Sequence, residues 1–264
     1  MRRPLGQHFL HDERVLSRIA EALDLKPGQK VVEVGAGEGA LTRHLLARGA
    51  RVFAVELDRG MAPSLDRLAR QHPGLEVIWA DARTYPWEDL VTDPPWKAVG
   101  NLPYYAATPI LTRLLQRGHL FERIVAMVQQ EVALRLAASP GTPSYGSLSL
   151  FCQYYAHVEI LFTVAPGAFR PPPKVDSAVV RLWPRQKRLL SLPEDEEKLF
   201  RLIRWAFATR RKTILNALSG GSGLSKADVA AILEKSQVDP QKRAQDLALW
   251  DFVVLFSHWP WEAS

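Results

Sequence analysis

A strand, three alternating glycines and a helix follow one another between Lys30 and Arg48, and no other stretch constrains the chain as much. Lys30 to Val34 is a short apolar run that reads as a buried strand. Gly35, Gly37 and Gly39 come next, and Ala40 to Arg48 carries a helical pattern. Strand, glycine turn, helix is the opening unit of a nucleotide-binding α/β sheet. Glycine serves such a turn in two ways: it takes positive φ, and it has no Cβ to keep a ligand from the backbone. The plainer alternative is a turn that only closes a strand–helix unit.

The charges around the turn narrow the ligand. A dinucleotide pyrophosphate is seated by G-x-G-x-x-G at a helix N-terminus, whereas this turn is G-x-G-x-G with Glu33 before it and Glu38 within it. Carboxylates there repel a pyrophosphate and suit a ligand with positive charge, such as the sulfonium and amino groups of S-adenosylmethionine. A second strand from Arg51 ends at Glu56, where a carboxylate can hold both ribose hydroxyls. A third, from Leu75 to Ala80, ends in Asp81, placed either to accept from an adenine amino group or to cap a turn. Ligands of open α/β sheets sit outside the carboxyl ends of the strands. With Glu56 placed at its strand end, the turn favours S-adenosylmethionine over NAD.

A length of 264 residues suits one sizeable core plus a smaller appendage. No run of about 18 apolar residues exists to span a membrane, and the N-terminal stretch has no apolar core of a secretory signal. The single cysteine, Cys152, allows no internal disulfide and no cysteine zinc cluster, and its apolar surroundings read as core. The expectation is a cytoplasmic protein without a metal. Net charge is +6, of which residues 187–264, with 12 basic and 10 acidic side chains, carry +2. A polyanionic partner should therefore meet both parts of the chain.

Residues 1–11 read as a basic, irregular arm, and Asp12 as the cap of a helix through Val15, Ile19 and Leu23. Two later stretches resemble the Asp/Asn-Pro-Pro-aromatic loop that methylates exocyclic amino groups: Asp93-Pro94-Pro95-Trp96 and Asn101-Leu102-Pro103-Tyr104. Such a loop belongs at the end of the fourth strand. Trp96 to Gly100 is a plausible strand and Trp87 to Thr92 a poorer one, which favours Asn101 to Tyr104. A helix-initiating turn is the alternative for that tetrapeptide. Phe169 to Ser177 contains three consecutive prolines and reads as a stiff loop leading into an edge strand, Ala178 to Leu182. It closes the pocket from the far side or serves as a surface connector with Phe169 as a core anchor. Residues 185–197 read as a linker. Lys198 to Lys212 reads as a helix with six basic residues and no acid, and Ser219 to Gly223 as a flexible break between helices.

Taken together, the chain resembles the bacterial small-subunit (16S) ribosomal RNA adenine dimethyltransferases. The resemblance is carried by Gly6 to Leu10, the glycine turn, Glu56, Asp81, Asn101 to Tyr104, Gln129-Gln130-Glu131, Phe169 to Ser177 and Thr209 to Thr213. It implies an α/β fold with a Rossmann-like, seven-stranded S-adenosylmethionine-dependent methyltransferase sheet and a small all-helical C-terminal domain. The domains would be 1–186, catalytic, and 187–264, contributing to rRNA binding. His8 and Leu10 would contact the methionine part of the cofactor, with Gly35 beneath it. Glu56 would take the ribose, Asp81 the adenine, and Asn101 both cofactor and target. Asn101, Leu102, Pro103 and Tyr104 would form the catalytic loop, with Tyr104 and Phe169 sandwiching the base. The implied reaction is N6-dimethylation of two adjacent adenosines near the 3′ end of small-subunit rRNA by a monomer acting on a 30S precursor. Three residues depart from the pattern: His8 where asparagine is usual, Tyr105 where a smaller polar residue is usual, and Gln130 where lysine is usual.

Overall fold

The computed structural model describes residues 8–261; Gly6, Gln7 and the rest of the arm before His8 lie outside them. The chain divides into two compact units. One holds the chain up to Ala133 together with Tyr155–Gln186, and the other Leu134–Tyr154 together with the chain from Lys187 onward.

The first unit carries β1 (Phe9–Leu10), α1 (Glu13–Ala22), β2 (Lys30–Val34), α2 (Ala40–Leu46), β3 (Arg51–Glu56), α3 (Ala62–Gln71) and β4 (Leu75–Trp79). Next come α4 (Trp87–Leu90), β5 (Trp96–Asn101), α5 (Ala107–Gln116), β6 (Phe121–Gln129) and α6 (Gln130–Leu136), which runs on across the unit boundary. After α7 (Ser147–Tyr155) the chain returns as β7 (Ala156–Val164), β8 (Phe169–Arg170) and β9 (Ser177–Pro184). Asp12 caps α1, its Oδ1 accepting from the Arg14 and Val15 amides. The β3 run Val52 to Glu56 is buried throughout, as a parallel strand covered on both faces requires.

Seven strands form one sheet in the order β4-β3-β2-β5-β6-β9-β7. The first five are mutually parallel, and only β9 is reversed, pairing antiparallel with β6 and β7. From β2 the chain builds outward through β3 and β4, then crosses back to place β5 on the other side of β2. The switch point of the sheet therefore lies between β2 and β5, where a ligand crevice forms outside the carboxyl ends. A separate ladder pairs Phe9 with Arg170 and Leu10 with Phe169.

One expectation changes here, and the poorer of the two strand candidates proves to be none. The strand after the prolines is not an edge: β9 lies between β6 and β7, and it accommodates proline because Pro171 to Pro173 precede it and Pro184 is its last residue. Trp87 to Thr92 holds no strand; Trp87–Leu90 is a short helix that buries Trp87.

The second unit carries α8 (Pro193–Phe207), α9 (Ile214–Ser222), α10 (Lys226–Lys235) and α11 (Leu249–His258). Residues 134–154, expected in the first domain, pack within this unit. The Tyr145 hydroxyl donates to the Leu247 carbonyl at 2.9 Å, and the Tyr154 hydroxyl to Glu196 Oε1 at 3.0 Å. Cys152 is buried in this segment, which pushes its thiol up to about 12. The basic stretch is not one helix. α8 stops at Phe207, residues 209–213 turn, and the Thr213 hydroxyl caps α9 by accepting from the Asn216 amide.

The glycine-rich run is not a break either. α9 continues through Gly220 and Gly221 to Ser222, and Gly223 closes it with φ of 80°. Gly221 is there for close packing: a Cβ would lie 2.5 Å from Trp205 Cβ on α8. A Cβ on Gly220 would meet nothing within 4 Å. Gly221→Ala should therefore destabilise this unit by about 1–3 kcal/mol through overpacking. Gly220→Ala should stabilise it by roughly 0.5–1 kcal/mol. Urea unfolding followed by tryptophan fluorescence measures both, and equal effects of the two substitutions would refute the packing argument.

Candidate active site

A cavity of about 620 Å³ opens at the switch point, lined by the glycine turn, the ends of β3 and β5, residues 80–83 beyond β4, the arm from His8 and Arg170. The turn follows β2 directly. Gly35 and Gly37 have φ of 75° and 55°, in the left-handed region that side chains resist. A Cβ on Gly37 would also press on the Phe9 ring at 3.3 Å, so glycine lets the turn lie against the arm.

The three strand-end acids are held in three different ways. Glu56, the last residue of β3, is buried, and backbone amides fix its carboxylate. Oε2 accepts from Gly37 N at 2.9 Å, and Oε1 from Leu57 N at 2.9 Å and Asp58 N at 2.8 Å. Asp81 is held by Arg83. Its oxygens accept from the Arg83 amide at 2.9 Å and from the guanidinium at 2.6–3.0 Å, bonds that keep the carboxyl below its ordinary range.

Glu33 is different again. It is 1% exposed, and neither its Oε2 nor the buried Thr42 hydroxyl has a hydrogen-bond partner. Burial pushes its carboxyl up to about 8; nearby Thr42 opposes the shift and the Glu56 charge adds to it.

Asn101 ends β5, beside the turn. Its Nδ2 donates to the His8 carbonyl at 3.3 Å, which sets the amide so that Oδ1 is the end left for a ligand. Leu102 is anchored by its amide, donating to Met127 O at 3.1 Å, and Pro103 follows. Tyr104 is half-buried, its hydroxyl 2.6 Å from the fully buried Ser177 Oγ. Burial raises the Tyr104 phenol, so it stays protonated, and the Ser177 bond opposes that shift. His8 Nδ1 lies 2.7 Å from the Pro171 carbonyl, which only accepts, so that nitrogen carries the proton. The His8 and Tyr104 rings are 5.6 Å apart. Leu10 lines the cavity, and so does Tyr105, which is 54% exposed.

Of the residues expected at the site, Leu10, Gly35, Glu56, Asp81, His8 and Asn101 to Tyr104 converge on this cavity. Phe169 does not. It pairs with Leu10 in the short ladder, and strand alternation turns its ring into the core, 2% exposed, while Arg170 lines the cavity instead. The base sandwich expected from Tyr104 and Phe169 is absent from this arrangement, and Phe169 is a core anchor. Asp93 lies at the other end of the sheet. It pairs with Lys30 at 2.7 Å and accepts from Trp96 Nε1 at 2.9 Å, at the first residues of β2 and β5. That local network explains an acid before two prolines without any catalysis.

Sequence reasoning gave no role to Arg83, Arg170 or Ser177. Arg170 and Ser177 lie within the Phe169 to Ser177 stretch with no part of their own there, and Arg83 lies in no motif; each acts through a partner distant in sequence or through its own short turn. Among the described residues, no group of three or more His, Cys, Asp or Glu side chains is arranged to hold a metal, and no helix is long and apolar enough to cross a membrane.

The acceptors present fit S-adenosylmethionine. The unpartnered Glu33 oxygen, the fixed Glu56 carboxylate and Asp81 suit an ammonium, a ribose diol and an exocyclic amine. Residues 1–257 match the family described as ribosomal RNA adenine dimethylase. A ribosomal RNA small subunit methyltransferase A from Geobacter metallireducens is 42% identical over 258 residues, covering 96% of this chain and 94% of the relative. Among solved structures, a dimethyladenosine transferase from Plasmodium falciparum aligns with TM-score 0.79 and 27% identity over 94% of this chain and 96% of its own. The 23S rRNA methyltransferase ErmE aligns with TM-score 0.72 and 29% identity over 95% of this chain and 98% of its own.

Glu33 makes folding stability depend on pH. Its carboxyl titrates near 4.5 when unfolded and near 8 when folded. Between those values the folded chain keeps a proton that the unfolded chain has released. The stability tied to that proton is fully present below the lower value and is lost as pH rises through the higher one. Glu33→Gln cannot ionise. Its stability should therefore gain on that of the wild type between about pH 5 and about pH 9, by an amount on the order of a few kcal/mol. Parallel melting curves for the two proteins across this range would refute the assignment.

Proposed function

The chain belongs to the ribosomal RNA adenine dimethylase family, and we propose that it dimethylates N6 of two adjacent adenosines near the 3′ end of small-subunit rRNA. The observation that carries this reading is Asn101, seated at the switch point with its amide turned by the His8 carbonyl. S-adenosylmethionine supplies the activated methyl group when bound. Glu56 would hold its ribose, Asp81 its adenine amino group and Glu33 its cationic end, with Gly35 and Gly37 allowing close approach.

The chemistry asked of the chain is modest in kind and strict in geometry. An adenine amino nitrogen is a weak nucleophile because its lone pair is delocalised into the ring. Asn101 Oδ1 and the Leu102 carbonyl, aimed at its two protons, favour a tetrahedral nitrogen with a localised pair. That interaction is stronger in the transition state than in the ground state. Pro103 restricts the backbone that presents the carbonyl, and Tyr104 offers a ring face for a base taken out of its stack. Ser177 fixes that ring through its hydroxyl. Positioning against the methyl does much of the rest.

The partner is small-subunit rRNA within a 30S precursor, met by the enzyme as a monomer in the cytoplasm. The helical unit from Lys187 supports RNA binding through Arg201, Arg204, Arg210, Arg211 and Lys212, all exposed. The likeness to a small subunit methyltransferase at 42% identity, against 29% for a 23S rRNA enzyme, favours the small subunit.

The test is transfer of labelled methyl to unmodified small subunits, unmodified large subunits and naked RNA, with mass mapping of the product. Dimethyladenosine in small-subunit rRNA is expected; label confined to the large subunit would overturn the reading. Asn101→Ala should lower the rate by about 100-fold or more while subunit binding persists. Asp93→Ala should leave transfer intact and cost little stability, because the pair is exposed and screened by solvent. The opposite pattern would move the catalytic loop to Asp93.

A further inference from the structure

Asp81 is not free to meet a ligand. A carboxylate offers about four lone-pair sites, and three N–H groups of Arg83 crowd them: Oδ1 accepts from its amide at 2.9 Å, Oδ2 from Nη2 at 2.6 Å, and the single Nε–H is shared between Oδ1 at 2.9 Å and Oδ2 at 3.0 Å. Under the cofactor reading above, on which this inference rests, an adenine amino group needs one of those sites. The amide bond can stay, because it belongs to the turn. The guanidinium is the donor that can leave, since its side chain is 44% exposed and a pair so exposed is weakly held.

Where it would go is also defined. Arg83 lines the same cavity as Arg43, Arg170 and the exposed Tyr105. A guanidinium released from Asp81 therefore stays at the wall of a cavity that two further arginines also line. Its planar fork matches a phosphodiester oxygen pair as well as it matches a carboxylate.

We infer that Arg83 couples the two substrates: it covers Asp81 in the free enzyme, the cofactor adenine displaces its guanidinium, and the displaced guanidinium binds a backbone phosphate of the target RNA. Binding of cofactor and of RNA then reinforce each other, by the same factor in both directions. Arg83 is a positioning residue in this scheme, since it acts on the cofactor only through Asp81.

The experiment measures two affinities by calorimetry and filter binding, using S-adenosylhomocysteine, which lacks the transferable methyl, and unmodified small subunits. The wild type should bind subunits about 5-fold tighter with S-adenosylhomocysteine than without. Arg83→Leu should bind S-adenosylhomocysteine several-fold tighter than the wild type and show one subunit affinity in both conditions. Arg83→Lys, which keeps the charge without the fork, should lose part of the coupling. Weaker S-adenosylhomocysteine binding by Arg83→Leu, or unchanged coupling, would overturn the inference. A wild type that does not bind S-adenosylhomocysteine, or an Asp81→Asn protein that binds it as well as the wild type, would instead overturn the cofactor reading itself. Melting curves confirm that the variants are folded.

Discussion

The pairing of β2 with β5 is the contact on which the site depends. These strands are neighbours in space although β3 and β4 lie between them in sequence. Their carboxyl ends carry the glycine turn and Asn101, so one ladder fixes the distance between the turn and the Asn101 loop. The approach there is tight: a Cβ on Gly100 would lie 2.5 Å from the Val34 carbonyl oxygen. A larger residue would force the two loops apart, and a displacement of about 1 Å at a reacting centre can cost two orders of magnitude in rate. Catalysis by positioning and acceptors alone has no stronger chemistry to compensate for such a loss.

The three acids around the crevice show how a sheet can hold negative groups without filling their ligand sites. Glu56 is satisfied by three amides of the backbone that surrounds it, which hold its carboxylate in place. Glu33 has an oxygen without a partner, and burial keeps it protonated near neutral pH until something better pairs with it. Asp81 keeps its charge through a partner that half reaches into water. Of the three, only Asp81 is held by a side-chain donor that is itself partly exposed.

Much of this was legible in the chain. Parallel strands buried on both faces appear as apolar runs, and the acids that end them mark the crevice, so β2, β3 and β4 and their acids were readable one by one. Asn101 was separable from Asp93 because only one of the two proline loops follows a good strand. The structure adds the reason for Asp93, a surface network with Lys30 and Trp96. What failed had non-local causes. The run at Ser219 to Gly223 looks like a hinge until Trp205, on another helix, is seen to fill the space beside Gly221. Phe169 looks like a stacking ring until the ladder with Leu10 fixes which way it points. Arg83 is invisible because its importance lies in the oxygens it occupies, not in any spacing.

The arm and Arg170, at the head of the proline stretch, line the crevice, and the two segments are anchored to each other. Two residue pairs join β1 to β8, and the His8 ring adds a bond to the Pro171 carbonyl. The same His8 contributes the carbonyl that turns the Asn101 amide, while Ser177 at the far end of the proline stretch holds Tyr104. Asn101 and Tyr104 are therefore both oriented by segments outside their own loop. Neither orientation comes from the loop's own residues, so the tetrapeptide Asn101 to Tyr104 is not sufficient by itself. The loop becomes an acceptor site only where an arm and a proline stretch close over it. This also gives a physical reason for the resemblance to extend across the chain, from the arm to β9, instead of stopping at one motif.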